Sequence, residues 1–304
     1  MNVEPAADLD NWPGEEPPQV IVPDAGRVFA ARAARFDALA EGHVLGDWLH
    51  FLALLSRAQH EAMQDLPQIA LPDASRLAQD REFGMPPLPA QSWPRDPIWQ
   101  TVLHRIADAT RPHVPETARP ELARLTVLPS QTLERLADRV LQMDLYGEDV
   151  ALLPFVAAAL QVVWTAGAAR LGGIAPLDVP GVCPCCGFLP VASVIRGAGG
   201  VSNLRYLHCA LCNTEWHLVR IKCAACGADH GIGYRHLARD DLRQPSVVQA
   251  ETCESCRSYL KIVHPDRGGA DPVADDLATL ALDILVDEAG YTRSGPNLLL
   301  AGIG

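Results

Sequence analysis

The chain has 304 residues, too many for one ordinary core, so length favours two domains or a domain with an added module. A formal net charge of −12 and an isoelectric point near 5.2 argue against a general binder of nucleic acid or other polyanions. All nine cysteines fall after residue 182, which divides the chain before any secondary structure is considered.

Residues 1–22, rich in Pro, Asp and Glu, read as a flexible acidic tail. They show neither a basic n-region nor an apolar h-region, so the expectation is a cytoplasmic protein, where clustered cysteines bind metal more often than they form disulfides. Residues 23–177 read as a helical domain. Asp24 is placed to cap a first helix that carries Phe29, Ala33, Phe36 and Ala40 on its apolar side, with Arg27, Arg32 and Arg35 facing water. A second helix runs from Leu49 to Met63. The Pro-rich connection from Leu66 to Pro97, with the text MPPLPAQSWPRDP, admits only a short helix near Asp73 to Asp80.

Three more helical patterns follow, from Pro97 to Thr110, Ser130 to Met143 and Glu148 to Arg170. The last contains 20 uncharged residues, Val150 to Ala169, about a bilayer's span. Pro154, Gln161 and Gly167 interrupt it and no second span exists, so a buried core helix is expected and membrane insertion is not. Short connections favour antiparallel packing, which makes residues 24–172 a helical bundle.

The texture changes after LGGIAPLDVPGV. Strand-like runs at Val191 to Ile195, Leu204 to Leu207, Trp216 to Ile221 and Val247 to Ala250 each lie close to a pair of cysteines. Residues 178–265 therefore read as a tandem four-cysteine metal-binding module. Residues 266–304 read as a C-terminal helix and tail packed on the helical domain, with Leu277, Leu280, Ile284 and Val286 on one side of a helix from Asp275 to Ala289.

Eight cysteines form four C-x2-C pairs: Cys183 and Cys186, Cys209 and Cys212, Cys223 and Cys226, Cys253 and Cys256. Such a pair offers two sulfurs from one tight turn, and two pairs complete the tetrahedron that a thiolate-loving divalent ion prefers. Sequential pairing of neighbours gives two sites of four cysteines, each closing a loop that holds a hairpin. The residue after each second cysteine must tolerate a left-handed turn; Gly187 and Gly227 suit it, Asn213 is next best, and Arg257 is the exception. A closed shell of four thiolates leaves no open position for catalysis, so structural clamps and rubredoxin-like one-electron iron centres are the two readings. Residues 178–264 hold nine Arg/Lys against seven Asp/Glu, and two tetrathiolate sites at about −2 each leave no positive face for nucleic acid.

Other candidates are modest. The RGAGG cluster from Arg196 to Gly200 reads as a hairpin turn, because no phosphate-loop partner follows it. Cys185 reads as a tolerated small residue, with a spare ligand or redox thiol as the alternative. His208 and His217 flank the second pair and read as surface or hairpin residues, while His43, His50, His60, His104 and His113 show no ligand spacing. No nucleophile with a partner base can be named, so an enzyme is not expected.

Taken together, CPCCGFLPVASVI, LRYLHCALCNTEWHLVRIKCAACG and CESC closely resemble the formate dehydrogenase accessory protein FdhE family. The resemblance extends to PDAGRVFAARAARFDALAEGHVLGDWLHFLALLSRAQ near the start and DEAGYTRSGPNLLL near the end, so it covers most of residues 21–300. It implies a cytoplasmic helper required for active respiratory formate dehydrogenase, a molybdenum or tungsten selenoenzyme exported folded by the twin-arginine route. It further implies contact with the catalytic subunit and iron bound through the C-x2-C motifs, a role that passes to Cys183, Cys186, Cys209, Cys212, Cys223, Cys226, Cys253 and Cys256. Cys185 departs from the family pattern, which has a plain apolar residue such as Val there, and receives no role.

The expectation is thus an α+β protein: an N-terminal helical bundle, two tandem rubredoxin- or zinc-ribbon-like four-cysteine modules and a C-terminal helix. It carries two metal ions per chain, with iron favoured and zinc the alternative; a homodimer is compatible with this. The competing function is a rubredoxin-like electron-transfer or redox protein.

Overall fold

A computed structural model describes residues 17–198, 201–237, 247–267 and 270–300. Its first half is helical: α1 (Val28–Ala40), α2 (Gly46–Gln64), α3 (Ala74–Glu82), α4 (Ile98–Thr110), α5 (Arg119–Leu125), α6 (Ser130–Leu141) and α7 (Leu153–Ala169). α7 is the hub, with α2, α4 and α6 packed around it. Among the described residues it belongs to the one segment long and apolar enough to cross a membrane, Val150–Ala169, and that segment is mostly buried against its neighbours. Its apolar length is used to fill a core. Asp149, at φ 59°, and a 3₁₀ turn at Val150–Leu152 set its start.

Two expectations for α1 need correction. The Asp24 carboxylate accepts from Gly26 N–H (2.9 Å) in a local turn, and the helix starts at Val28 without a side-chain cap. Arg32 does not face water: it is fully buried, because positions 29, 32, 33 and 36 share one face at helical spacing. Arg27 is exposed as expected, and Arg35 is half-buried against Asp275. The Pro-rich connection does carry its short helix, α3, capped by Asp73, which accepts from Arg76 N–H. α5 went unread in the sequence, its seven residues being too few for a periodic signal.

Among the described residues one sheet of eight strands forms, all but the first from the second half: β1 (Val20–Ile21), β2 (Pro190–Ala198), β3 (Val201–Cys209), β4 (Glu215–His217), β5 (Ile232–Arg235), β6 (Val248–Cys253), β7 (Ser258–Val263) and β8 (Thr292–Arg293). The order is β1-β4-β3-β2-β7-β6-β5, with β8 beside β7. Two antiparallel units, β4-β3-β2 and β7-β6-β5, are joined by parallel pairing of β2 with β7, Ser193 opposite Ile262 and Val194 opposite Val263. The two cysteine modules are therefore fused edge to edge. The expected strand from Trp216 to Ile221 is shorter and earlier, and the RGAGG turn lies partly outside the described residues, since Gly199 and Gly200 are not among them.

The end of the supposed tail is part of this sheet. Val20 pairs with Trp216, His217 N–H donates to Gln19 O (2.9 Å), and the Tyr206 hydroxyl donates to Pro18 O (2.9 Å). A short added strand satisfies the open edge of β4.

The C-terminal segment has two helices, α8 (Pro272–Leu277) and α9 (Leu280–Glu288), where one was expected. The break has a cause: the buried Lys261 ammonium takes the carbonyls of Asp276 (2.8 Å) and Thr279 (3.1 Å) at the join. The helical register restarts there, so Leu282 and Val286 are buried while Ile284 is exposed. α8 sits between α1 and β2. Buried apolar side chains run without interruption from the helices through Cys183, Cys185, Cys186, Cys209 and Cys212 into the sheet and α8.

Candidate metal centres

Each cysteine pair sits on a tight turn whose geometry follows from its sequence. Cys183 N–H donates to Phe188 O (2.8 Å) and Gly187 N–H to Cys183 O (2.7 Å); Cys223 N–H donates to Ala228 O (2.7 Å) and Gly227 N–H to Cys223 O (3.0 Å). The residue after the second cysteine is left-handed in all four turns: φ is 71° at Gly187, 58° at Asn213, 76° at Gly227 and 54° at Arg257.

The turns meet in sequential pairs. Cys183, Cys186, Cys209 and Cys212 form one cluster and Cys223, Cys226, Cys253 and Cys256 another, with the four sulfurs of each set within 4.8 Å of one another. In the first, Cys183 Sγ lies 3.5 Å from Cys212 Sγ and Cys186 Sγ 3.4 Å from Cys209 Sγ. In the second, Cys223–Cys256 and Cys226–Cys253 are both 3.8 Å apart. A tetrahedron with metal–sulfur bonds of about 2.3 Å has edges of about 3.8 Å. Both sets fit a single tetrahedrally bound ion, the second at the expected spacing and the first slightly tightened.

The first cluster is sealed. All four cysteines are buried, as are Pro184, Cys185, Ala210 and Leu211 between them. The Pro-rich loop lies across the first turn, Leu88 N–H donating to Cys185 O (2.9 Å) and Ala90 N–H to Cys186 O (2.8 Å), and α7 holds that loop through Trp164 Nε1 to Leu88 O (3.1 Å). The second turn is held by α7 as well. Gln161 Nε2 donates to Ala210 O (2.8 Å), and Asn213 Nδ2 donates to Thr165 Oγ1 (2.8 Å). Asn213 Oδ1 accepts from Arg32 Nη2 (2.6 Å), and Arg32 Nε reaches both carboxylate oxygens of Asp271, at 3.1 and 3.3 Å. One knuckle residue thus ties α1, α7 and the start of α8 to the sheet.

Burial pushes the Cys183 and Cys186 thiols well up. Cys212 feels the same burial, but hydrogen bonds from the thiols of Cys183, Cys185, Cys186 and Cys209 outweigh it and hold Cys212 well below the ordinary thiol range. Four thiolates packed in this space require positive charge at the centre.

The second cluster is half open. Cys223 and Cys253 are buried, whereas Cys226 and Cys256 are exposed. So are Ala225, Glu254 and Ser255 between the ligands.

Three family models match in chain order: FdhE, N-terminal, over residues 17–177; FdhE, central domain, over 182–220; and FdhE, C-terminal domain, over 221–300. The chain belongs to the FdhE family. It is 40% identical over 287 residues to a protein FdhE homolog of Edwardsiella ictaluri (strain 93-146), covering 92% of this chain and 91% of that protein. With the protein FdhE homolog of Rhizobium meliloti (strain 1021) it shares 37% identity over 289 residues, 94% of each chain. The crystal structure of the FdhE protein from Pseudomonas aeruginosa superposes with a TM-score of 0.79 at 36% identity, covering 94% of this chain and all of that one.

The FdhE-like ending DEAGYTRSGPNLLL supports the fourth turn of the clusters. Arg257 stands in the slot that favours glycine, and its side chain accounts for its place there. It stacks 4.0 Å above the Tyr291 ring, pairs with Glu254 (2.7 Å), and donates to the carbonyls of Ala289 (3.0 Å) and Gly290 (3.3 Å) where α9 ends. A cation at a helix C-terminus is favourably placed. Farther along, Arg293 Nη2 (2.7 Å) and Asn297 Nδ2 (2.8 Å) both reach the buried Asp276 carboxylate.

Sequence reading missed Arg32, Gln161, Thr165, Asp271 and Tyr291 as supports of this site. His208 is not a surface residue: it is buried, with Nδ1 3.1 Å from Glu215 Oε1 and Nε2 3.1 Å from Asn213 Oδ1. His217 is half-buried, edge-on to Tyr206 at 5.7 Å, and His43 lies with Nε2 3.0 Å from Ala278 O. Cys185 lies outside the four-sulfur set but is fully buried beside it, its thiol hydrogen-bonded to Cys212.

Proposed function

We propose that this protein is a non-enzymatic accessory factor for formate dehydrogenase that binds the catalytic subunit of a respiratory formate dehydrogenase in the cytoplasm before export. Cys183, Cys186, Cys209 and Cys212 hold one metal ion and Cys223, Cys226, Cys253 and Cys256 a second, with iron favoured over zinc by the family resemblance. A tetrathiolate iron supplies one-electron chemistry, and zinc in the same shell supplies structure alone.

The observation that carries this reading is the pair of tetrahedrally spaced four-cysteine sets in a chain that matches the FdhE family from residue 17 to residue 300, apart from a short gap between its models. Apolar side chains left exposed beside the second cluster, Val219 (55%), Ile221 (62%) and Tyr234 (43%), support contact through the sheet as well as the helical surface.

The test is co-purification from cells that express the intact protein or its Cys223→Ser/Cys226→Ser variant. The intact protein retains the formate dehydrogenase catalytic subunit, the variant retains less, and deletion of the gene abolishes formate oxidation. If the intact protein never retains that subunit while deletion leaves formate oxidation unchanged, the rubredoxin-like electron carrier replaces this reading.

A further inference from the structure

The two clusters have the same ligands, the same order of turns and near-equal sulfur spacings, yet they meet the solvent differently. Every ligand of the first is buried, and the turns between its ligands are apolar, Pro184-Cys185 and Ala210-Leu211. Backbone and side-chain hydrogen bonds from the Leu88–Ala90 loop and α7 close it from the helical side. The four sulfurs lie beneath turns that the loop and α7 hold in place. In the second cluster the corresponding positions are Ala224-Ala225 and Glu254-Ser255, and Ala225, Glu254 and Ser255 lie in solvent. The two buried ligands, Cys223 and Cys253, come from different turns, and so do the two exposed ones, Cys226 and Cys256. Each turn thus keeps one sulfur anchored while it offers the other.

We propose that the clusters divide the labour: the first is a fixed fastening between sheet and helices, and the second is an exchange centre whose Cys226 and Cys256 form the entry edge for an external soft ligand. The ligand class is a thiolate, from a small thiol or from a cysteine of another protein, and the cargo is the thiophilic ion itself. This rests on the reading that both clusters hold metal. In exchange, Cys226 or Cys256 gives up its place to the incoming thiolate and takes a proton from water, while Cys223 and Cys253 keep the site assembled. No electrons change hands.

Anchorage of the second cluster fits this work. Cys256 Sγ lies 2.9 Å from Ser258 Oγ, and Glu254 N–H donates to Gly231 O (2.9 Å), so the turn keeps its hydrogen bonds to the strands around it. Arg257 is pinned by Glu254 and the end of α9. An exposed sulfur on a braced turn can leave and return without unfolding the sheet. In the first cluster the equivalent event requires sub-global opening, which is far rarer.

The experiment uses the whole, anaerobically purified protein. Metal content is measured first; the protein is then exposed to excess glutathione with a metallochromic chelator, and portions are quenched with iodoacetamide for peptide mass spectrometry. The expected result is two phases. One equivalent of metal leaves as Cys226 and Cys256 become alkylated, while Cys183, Cys186, Cys209 and Cys212 stay protected for at least about 100-fold longer, equivalent to about 2.8 kcal/mol of opening free energy. Equal rates for both metals, or earlier alkylation of the first four cysteines, overturns the division of labour while leaving the metal reading intact. Protein that carries no metal at the outset, and takes up none when supplied with ferrous or zinc ion, overturns both.

Discussion

Replacing Arg32 by Leu tests whether the metal sheet is fastened to the helices through a buried charge. The arginine is fully buried, its Nε spans both oxygens of Asp271, and its Nη2 bonds Asn213 Oδ1 at 2.6 Å. Leucine is smaller and apolar, so it removes the cation and leaves a carboxylate that is only 7% exposed. Loss of one partner from a buried pair costs about 3–5 kcal/mol. Asp271 keeps its hydrogen bonds from Val273 and Ala274 N–H at the start of α8, which favours the lower end, about 3 kcal/mol. Asp271→Asn retains that capping and removes the charge. The double variant Arg32→Leu/Asp271→Asn is therefore expected to be more stable than the sum of the single effects predicts, by roughly 1–3 kcal/mol. Anaerobic urea unfolding followed by tryptophan fluorescence gives all three values. A loss below about 1 kcal/mol for Arg32→Leu, or strict additivity, would refute the buried fastening.

Two other perturbations are informative. Arg257 adopts φ 54°, so Arg257→Gly should be less harmful than Arg257→Ala by roughly 1 kcal/mol, even though both lose the contacts with Tyr291 and α9; equal losses in urea midpoint would contradict the backbone argument. Burial works to raise the Glu215 carboxyl, but the Arg196 guanidinium, at 2.6 and 2.7 Å, and then His208 outweigh it and hold that carboxyl well below the usual carboxylate range. Its folded pKa is below its unfolded one, so its stabilisation is present above the unfolded value of about 4.5 and is lost as pH falls from there towards the folded value. Glu215→Gln should cost roughly 2 kcal/mol at neutral pH, with a gap from the native protein that narrows below about pH 4.5. A gap that stays constant from pH 7 to about pH 3 would show that the carboxylate does not titrate with folding.

The cysteine sets were legible because C-x2-C is a local signal, and because the left-handed positions Gly187, Gly227 and Asn213 announce the turns. Arg257 did not announce its turn, since what steadies it lies about thirty residues away at Ala289 to Tyr291. The burial of Arg32 is written in its spacing, three residues after Phe29 and four before Phe36, and runs against the polarity of its side chain. Fusion of the two modules was not legible. It rests on two residue pairs of parallel β2–β7 register between segments far apart in sequence. Nor was the cover over the first cluster, because Leu88 and Ala90 act through main-chain N–H groups that any residue but proline would supply. The contrast between the clusters was present in plain text, as Pro-Cys and Ala-Leu against Ala-Ala and Glu-Ser, and gained meaning only once burial was known.

The central claim is that eight cysteines make two separate metal centres. Elemental analysis of anaerobically purified protein, set beside the Cys223→Ser/Cys226→Ser variant, tests it most directly. Two ions per native chain and one per variant chain, with helicity unchanged, is the predicted result. One ion per fully loaded native chain, or a variant that still holds two, would contradict it.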